Sequence, residues 1–309
     1  MNGIRNYIHD KFNVHNRFDF ASYKKYLLSL KKSGFTEIEH AGSHLSHANQ
    51  RKRLKNAVEE IHECGMKAYF YTGVFGTENL HQNKELLPFA QRNKNGDILG
   101  YEGKSLARAM MCPASGYIDH TIIAKILDRM HLAEFDGLFF DIPWVMKSGC
   151  YCKNCKNQRE DGADNAVIVR NAMTRTVSAI KKEYPASSIC INASAPTILD
   201  NRYSGGHIDN LSGIFDEYLT EWNPYRWKQD VSVVSRCIDY AAGIVKGRLL
   251  HATTATNRLG KMYTKEQYVR LFSAILNGGA TPRLGIVFPE KQLRIIGDAW
   301  QSAVESEKS

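Results

Sequence analysis

The sequence predicts an α/β protein built as a single (β/α)8 TIM barrel over residues 1–309. Three observations predict it. Eight short strand-like segments each run into a turn or a polar residue, and helix-period segments lie between them. Strands that alternate with helices pair in parallel through crossovers, and eight strands close a barrel. No GxGxxG follows the first strand, which counts against the alternative of a doubly wound open sheet.

The strand segments are 3–9, 35–40, 66–72, 135–141, 188–192, 214–221, 248–252 and 283–288. Between them, residues 51–63 put Leu54, Val58 and Ile61 on one face. Residues 117–132 gather Ile122, Ile123, Ile126, Leu127 and Met130. Residues 165–182 carry Val169, Met173, Val177 and Ile180, and residues 265–276 carry Tyr268, Leu271, Phe272 and Ile275. These spacings bury one helical stripe each. Residues 73–116, with Asn95-Gly96-Asp97 as a turn, form a long loop excursion after the third strand. A second, cysteine-rich loop spans 149–156. Both follow strand C-termini and so belong to the face where barrels carry their chemistry.

The composition, 43% hydrophobic and 24% charged, excludes a disordered chain and a disulfide mini-protein. No run approaches 18 apolar residues, so no membrane span is expected. The opening MNGIRNYIHD lacks an apolar core. With no leader and thiols expected to be reduced, the sequence predicts a cytoplasmic location. The net charge is +9, in short runs such as Lys31-Lys32, Arg51-Lys52-Arg53 and Lys181-Lys182. It reads as a solvated basic surface, or as an attraction for an anionic substrate such as an acidic glycan. No nucleic-acid motif accompanies it, so a nucleic-acid partner is not expected. A homo-oligomer is left open.

The strand ends supply the candidate site: His9, Glu39, His40, Tyr71, Asp141, Asn192, Glu221, His251 and Arg283. In the segment Phe135-Asp136-Gly137-Leu138-Phe139-Phe140-Asp141 an apolar strand runs straight into a carboxylate. Asp136 is five residues earlier, so it faces the other side and caps or turns at the strand start. Glu221 ends another strand beside Trp222, which could form an apolar wall that raises the carboxyl pKa and suits a general acid. Glu217 has the same parity and is a rival. Two carboxylates on separate barrel strands suggest glycoside hydrolysis, with Asp141 and Glu221 as the catalytic pair. Tyr71, Trp144, Trp222 and Trp227 suit stacking on sugar rings. His9, His40, His251 and Asn192 suit hydrogen bonds to sugar hydroxyls, and Arg283 suits a bidentate grip on a carboxylate or sulfate.

Three of the seven cysteines crowd into Cys150-Tyr151-Cys152-Lys153-Asn154-Cys155. Three thiolates need one more ligand to complete a tetrahedral zinc, and Cys112 in Met111-Cys112-Pro113 is placed to supply it. Such a closed site braces a loop and does no chemistry. A redox C-x-x-C and free thiols are the rivals. Cys64, Cys190 and Cys237 read as core. His40, His44 and His47 are a weaker metal-site candidate, because their spacing needs a helix where Gly42 and Ser43 indicate a loop. No organic cofactor is expected.

Asp136-Gly137-Leu138-Phe139-Phe140-Asp141 followed by the cysteine loop resembles a glycosyl-hydrolase-like family of (β/α)8 barrels. That family is related to α-L-fucosidases and family-42 β-galactosidases. Met111-Cys112-Pro113-Ala114-Ser115 is similar to its CPN-type segment, with Ala114 in place of Asn. Arg5-Asn6-Tyr7-Ile8-His9-Asp10, Glu39-His40-Ala41-Gly42 and Asn93-Lys94-Asn95-Gly96-Asp97 resemble its first two strands and its long third loop. The resemblance spans roughly residues 3–290. It implies the four-cysteine zinc site, and it implies a carbohydrate substrate. The sequence departs from family 42 by ending the relevant strands in Asp141 and His251. The fucosidase-like and α-galactosidase-like pattern, with an aspartate nucleophile, fits better and implies an α-linked substrate. The resulting expectation is a retaining glycosidase. An inactive sugar-binding barrel and a metal-dependent hydrolase are the alternatives.

Overall fold

The computed structural model describes residues 3–8, 19–41, 48–146, 149–160, 162–193, 204–225, 228–253, 256, 261–285 and 288–308. Eight strands close a parallel barrel: β1 (Ile4–Ile8), β2 (Phe35–Ala41), β3 (Lys67–Gly73), β6 (Gly137–Asp141), β7 (Ser188–Asn192), β8 (Glu217–Glu221), β9 (Arg248–Thr253) and β10 (Thr281–Leu284). β10 returns to β1 with Arg5 opposite Arg283. The short strands β4 (Thr77–Glu78) and β5 (Ala109–Met110) pair antiparallel inside the excursion after β3. The helices are α1 (Phe20–Lys32), α2 (Ala48–Glu63), α3 (Ala124–Leu132), α4 (Lys153–Glu160), α5 (Asn165–Glu183), α6 (Ile208–Leu211), α7 (Ser232–Ala242), α8 (Lys265–Asn277) and α9 (Glu290–Lys308). No helix among the described residues is long and apolar enough to cross a membrane.

The strand boundaries differ from expectation for local reasons. Residues 214 and 215 stay outside β8 because their N–H groups donate to the Tyr218 hydroxyl, both at 3.1 Å. Asp136 stays outside β6 and receives Ala68 N–H at 2.8 Å, tying the start of β6 to β3 as its parity implied. The expected helix at 117–132 opens as a π-helical stretch, Ile118–Ile123, before α3. β10 begins two residues before the expected 283, with Pro282 inside it, and ends at Leu284.

Side chains alternate across each strand, so one parity faces the barrel axis and the other packs on the helices. The outward set, with Ile38, Phe70, Leu138, Phe140, Ile189, Ile191 and Tyr218, belongs to the main apolar core. The inward set is unusual in its charge. At the N-terminal end of the strands, Arg5 binds Glu37 at 2.5 Å and Glu217 at 2.6 Å, and Arg248 binds Glu37 at 2.6 Å. Arg5 also lies over the Tyr69 ring, 3.8 Å from its centroid. Above this network sits an apolar plug of Phe139, Cys190, Leu219, Leu250 and Ala252, with Tyr71 packed against it. The C-terminal ends of the strands lie beyond the plug.

Candidate active site

Three inward-facing strand ends converge at that mouth. Asp141 ends β6, Asn192 ends β7 and Glu221 ends β8. The Asp141 carboxylate accepts from Tyr71 Oη on one oxygen. On the other it accepts from Asn192 Nδ2 at 3.0 Å and from Ile142 N–H at 2.9 Å. Asn192 Nδ2 also lies 3.4 Å from Glu221 Oε2, so one amide spans both carboxylates. Ile142 has φ +56°, a left-handed conformation costly for a β-branched residue, on the order of 1–3 kcal/mol. That conformation turns its N–H back onto the Asp141 carboxylate.

Glu221 is open to solvent at the mouth but backed by protein on its other sides. Desolvation raises its carboxyl above the ordinary carboxylate range, Arg283 opposes, and the Asp141 charge adds to the rise. Amide bonds from Asn192 and Asn223 favour the charged form and restrain the shift. Glu217, the rival acid, is 4% exposed and held by Arg5, Arg248 and Tyr69 at the opposite end of the barrel, away from Asp141.

Arg283 faces inward, as expected, but its fork is already occupied. Nε lies 3.0 Å from both Glu39 oxygens, and Nη2 lies 2.6 Å from Oε2. The guanidinium also stands over Phe139, 4.5 Å from the ring centroid. Tyr71 stacks on the same Phe139 ring at 5.4 Å.

Trp144 is half-buried in the loop after β6. Its position is fixed by Gln91, a fully buried amide that the sequence reading missed. Gln91 Nε2 donates to Met111 O at 3.1 Å and Trp144 O at 3.4 Å, while its Oε1 accepts Met146 N–H at 2.9 Å. On the other side Val145 N–H donates to Ser204 O at 2.9 Å. Gly206 lies so close that a Cβ there would sit 2.9 Å from Pro143 O and from Trp144 Cβ.

Three expected sugar contacts are placed elsewhere. His40 lies on the outward parity of β2, edge-on to Tyr23 of α1 with ring centroids 6.4 Å apart. Its neighbour Glu39 is the one that faces the axis. His251 is fully buried on the outward side of β9. Its Nε2 donates to Trp222 O at 3.3 Å and its Nδ1 accepts from Thr220 Oγ1 at 2.9 Å. Burial depresses its pKa to about 4. Trp222 is buried too, with its indole N–H given to Gln229 Oε1 at 2.7 Å, so it forms no open stacking wall. His9, Trp227 and the metal-site rivals His44 and His47 lie outside the described residues.

All four expected cysteines come together. Cys112, Cys150, Cys152 and Cys155 place their Sγ atoms within 4.8 Å of one another, and Cys112 Sγ is 3.3 Å from those of Cys152 and Cys155. Tetrahedral thiolates 2.3 Å from one ion would be about 3.8 Å apart, so the cluster can hold a metal ion. It joins the end of the excursion to the loop after β6, a junction reinforced by Tyr151 N–H on Arg92 O at 2.7 Å. Cys64, Cys190 and Cys237 are buried, as expected of core residues.

Comparison with solved structures adds three relatives of this barrel. An α-L-fucosidase, isoenzyme 2 from Paenibacillus thiaminolyticus, matches 100% of this chain and 50% of its own at 19% identity, with a TM-score of 0.73. The GH36 α-galactosidase AgaB from Geobacillus stearothermophilus matches 98% of this chain and 41% of its own at 10% identity, TM-score 0.63. An α-amylase from Lactobacillus plantarum matches 92% and 71% at 14% identity, TM-score 0.58. What they share with this chain is the fold. This chain spans half the length of the fucosidase. No protein-family model and no curated protein matches the sequence.

Proposed function

We propose that the protein is a retaining glycoside hydrolase with Asp141 as nucleophile and Glu221 as general acid/base. The observation that carries this reading is the carboxylate pair spanned by Asn192. Its Nδ2 is 3.0 Å from Asp141 Oδ1 and 3.4 Å from Glu221 Oε2, so the sum, 6.4 Å, is the upper limit on the separation of those oxygens. The two N–H bonds of an amide diverge by about 120°, which puts oxygens aimed at separate hydrogens about 5.5 Å apart. Retaining enzymes hold their carboxyls about 5–5.5 Å apart, and inverting enzymes leave about 6.5–9.5 Å for a water.

In this reading protonated Glu221 gives its proton to the leaving glycosidic oxygen as Asp141 attacks the anomeric carbon. Glu221, now ionised, takes a proton from the water that releases the sugar from the Asp141 ester. The raised Glu221 carboxyl supports the acid role. The bonds from Tyr71, Asn192 and Ile142 hold Asp141 in line, and Trp144 offers a face for the sugar. The α-L-fucosidase, α-galactosidase and α-amylase among the structural relatives support an α-linked oligo- or polysaccharide. We further assign the four-cysteine cluster to zinc, in a closed site that braces the mouth and carries no step of the reaction. Aryl α- and β-glycosides screened with wild type and Asp141→Asn test the assignment. Turnover by wild type alone supports it, and equal turnover by both removes Asp141 from its role.

A further inference from the structure

The charge inside the barrel balances. Among the described inward-facing residues, Arg5, Arg248 and Arg283 are matched by Glu37, Glu39 and Glu217 through the ion pairs that link them. Asp141 and Glu221 come on top of this neutral set, so the described part of the pocket carries negative and no net positive charge. Among the described residues Arg283 is the cation that acts on Glu221, and the Nε/Nη2 edge of its fork is held by Glu39. Glu39 itself is wholly buried behind it, with Arg5 Nη1 3.8 Å away on its far side. An anionic sugar would meet a guanidinium already neutralised by a buried carboxylate on its Nε/Nη2 edge, and would lie poorly compensated beside Asp141, which is costly. The basic runs face outward instead: Lys31, Lys32 and Lys182 are exposed.

We propose that Glu39 is a specificity-determining residue: by occupying the Arg283 fork it cancels the cation at the pocket floor, so the site takes an uncharged glycosyl unit and rejects uronates and sulfated sugars. This rests on the glycosidase reading for its substrate but on the ion pair alone for its charge. Burial pushes the Glu39 carboxyl up, and the Arg283 guanidinium pulls it back down.

Two measurements test it. Wild type is assayed on aryl glycosides paired with the uronides that differ only at C6. The neutral member should be preferred by about tenfold or more. Equal or better turnover of a uronide overturns the proposal while leaving the hydrolase reading intact. Separately, sulfate binding is measured by calorimetry on wild type, Glu39→Gln and the double variant Glu39→Gln/Arg283→Met. Glu39→Gln should bind sulfate at least about tenfold more tightly than wild type, and the double variant should lose the gain. Equal sulfate binding by wild type and Glu39→Gln overturns the proposal. A sulfate contrast without turnover of any glycoside upholds the charge assignment and counts against the hydrolase. If Glu39→Gln does not fold, the C6 pairs decide.

Discussion

A His251→Gln substitution should change how stability depends on pH while leaving turnover intact. The imidazole is fully buried, neutral, and bonded to Thr220 and Trp222. Its pKa falls from 6.5 to about 4 on folding. Between those values the unfolded chain binds a proton that the native state refuses, so stability falls as pH falls. The full contribution is present above pH 6.5 and is lost progressively down to pH 4. The whole shift corresponds to about 3.4 kcal/mol, of which about 2.6 kcal/mol is lost by pH 4.5. Urea melts of both proteins at pH 7 and pH 4.5 measure this. Acidification should destabilise wild type by about 2–3 kcal/mol more than the variant. Parallel losses in the two proteins, or an imidazole NMR titration centred near 6.5, would mean that burial does not hold His251 neutral.

Other perturbations probe the frame of the site. Arg5→Met takes from Glu37 and Glu217 their fully buried cation and leaves them sharing Arg248, and denaturant melts should show a loss of about 3–5 kcal/mol. Cys152→Ser should lower bound metal by elemental analysis and raise KM, with far-UV circular dichroism of the barrel retained. Asn192→Ala removes an amide bond that favours the ionised form of Glu221, so the alkaline limb of the kcat/KM profile should move to higher pH. Its kcat should drop on the order of 10²-fold, as expected when the catalytic geometry is lost. Gln91→Leu leaves the Met111 and Trp144 carbonyls and the Met146 N–H without their buried partner, and should cost about 1–3 kcal/mol and raise KM with it.

The barrel was legible because eight short strand-like segments alternate with helix-period segments along the chain. The place of Asp141 at a strand end and the cysteine quartet were legible for a different reason: the first is local in the chain and the second follows from ligand chemistry. What the sequence hid is which parity of each strand faces the axis. In Glu37-Ile38-Glu39-His40 a charged pair alternates with an apolar residue and a histidine, a pattern that ordinarily buries the apolar side. Here the helices bury Ile38 and His40 while the barrel buries the glutamates against arginines distant in sequence. His251 was misplaced by the same ambiguity, although its flanking Leu250 and Ala252 could have marked the opposite parity as the inward one. Trp222 follows Glu221 directly and so could not share its direction. Gln91 carries no local signal, because its partners come from two separate loops. Asn223 could have been found from its i+2 relation to Glu221.

If Asp141 and Glu221 form a retaining pair, the stereochemistry of the first product reports it. The most direct test follows the anomeric proton by NMR during the first minutes of hydrolysis of a responsive glycoside. The first sugar released should keep the configuration of the substrate, with the other anomer appearing only by mutarotation. First release of the inverted anomer would contradict it.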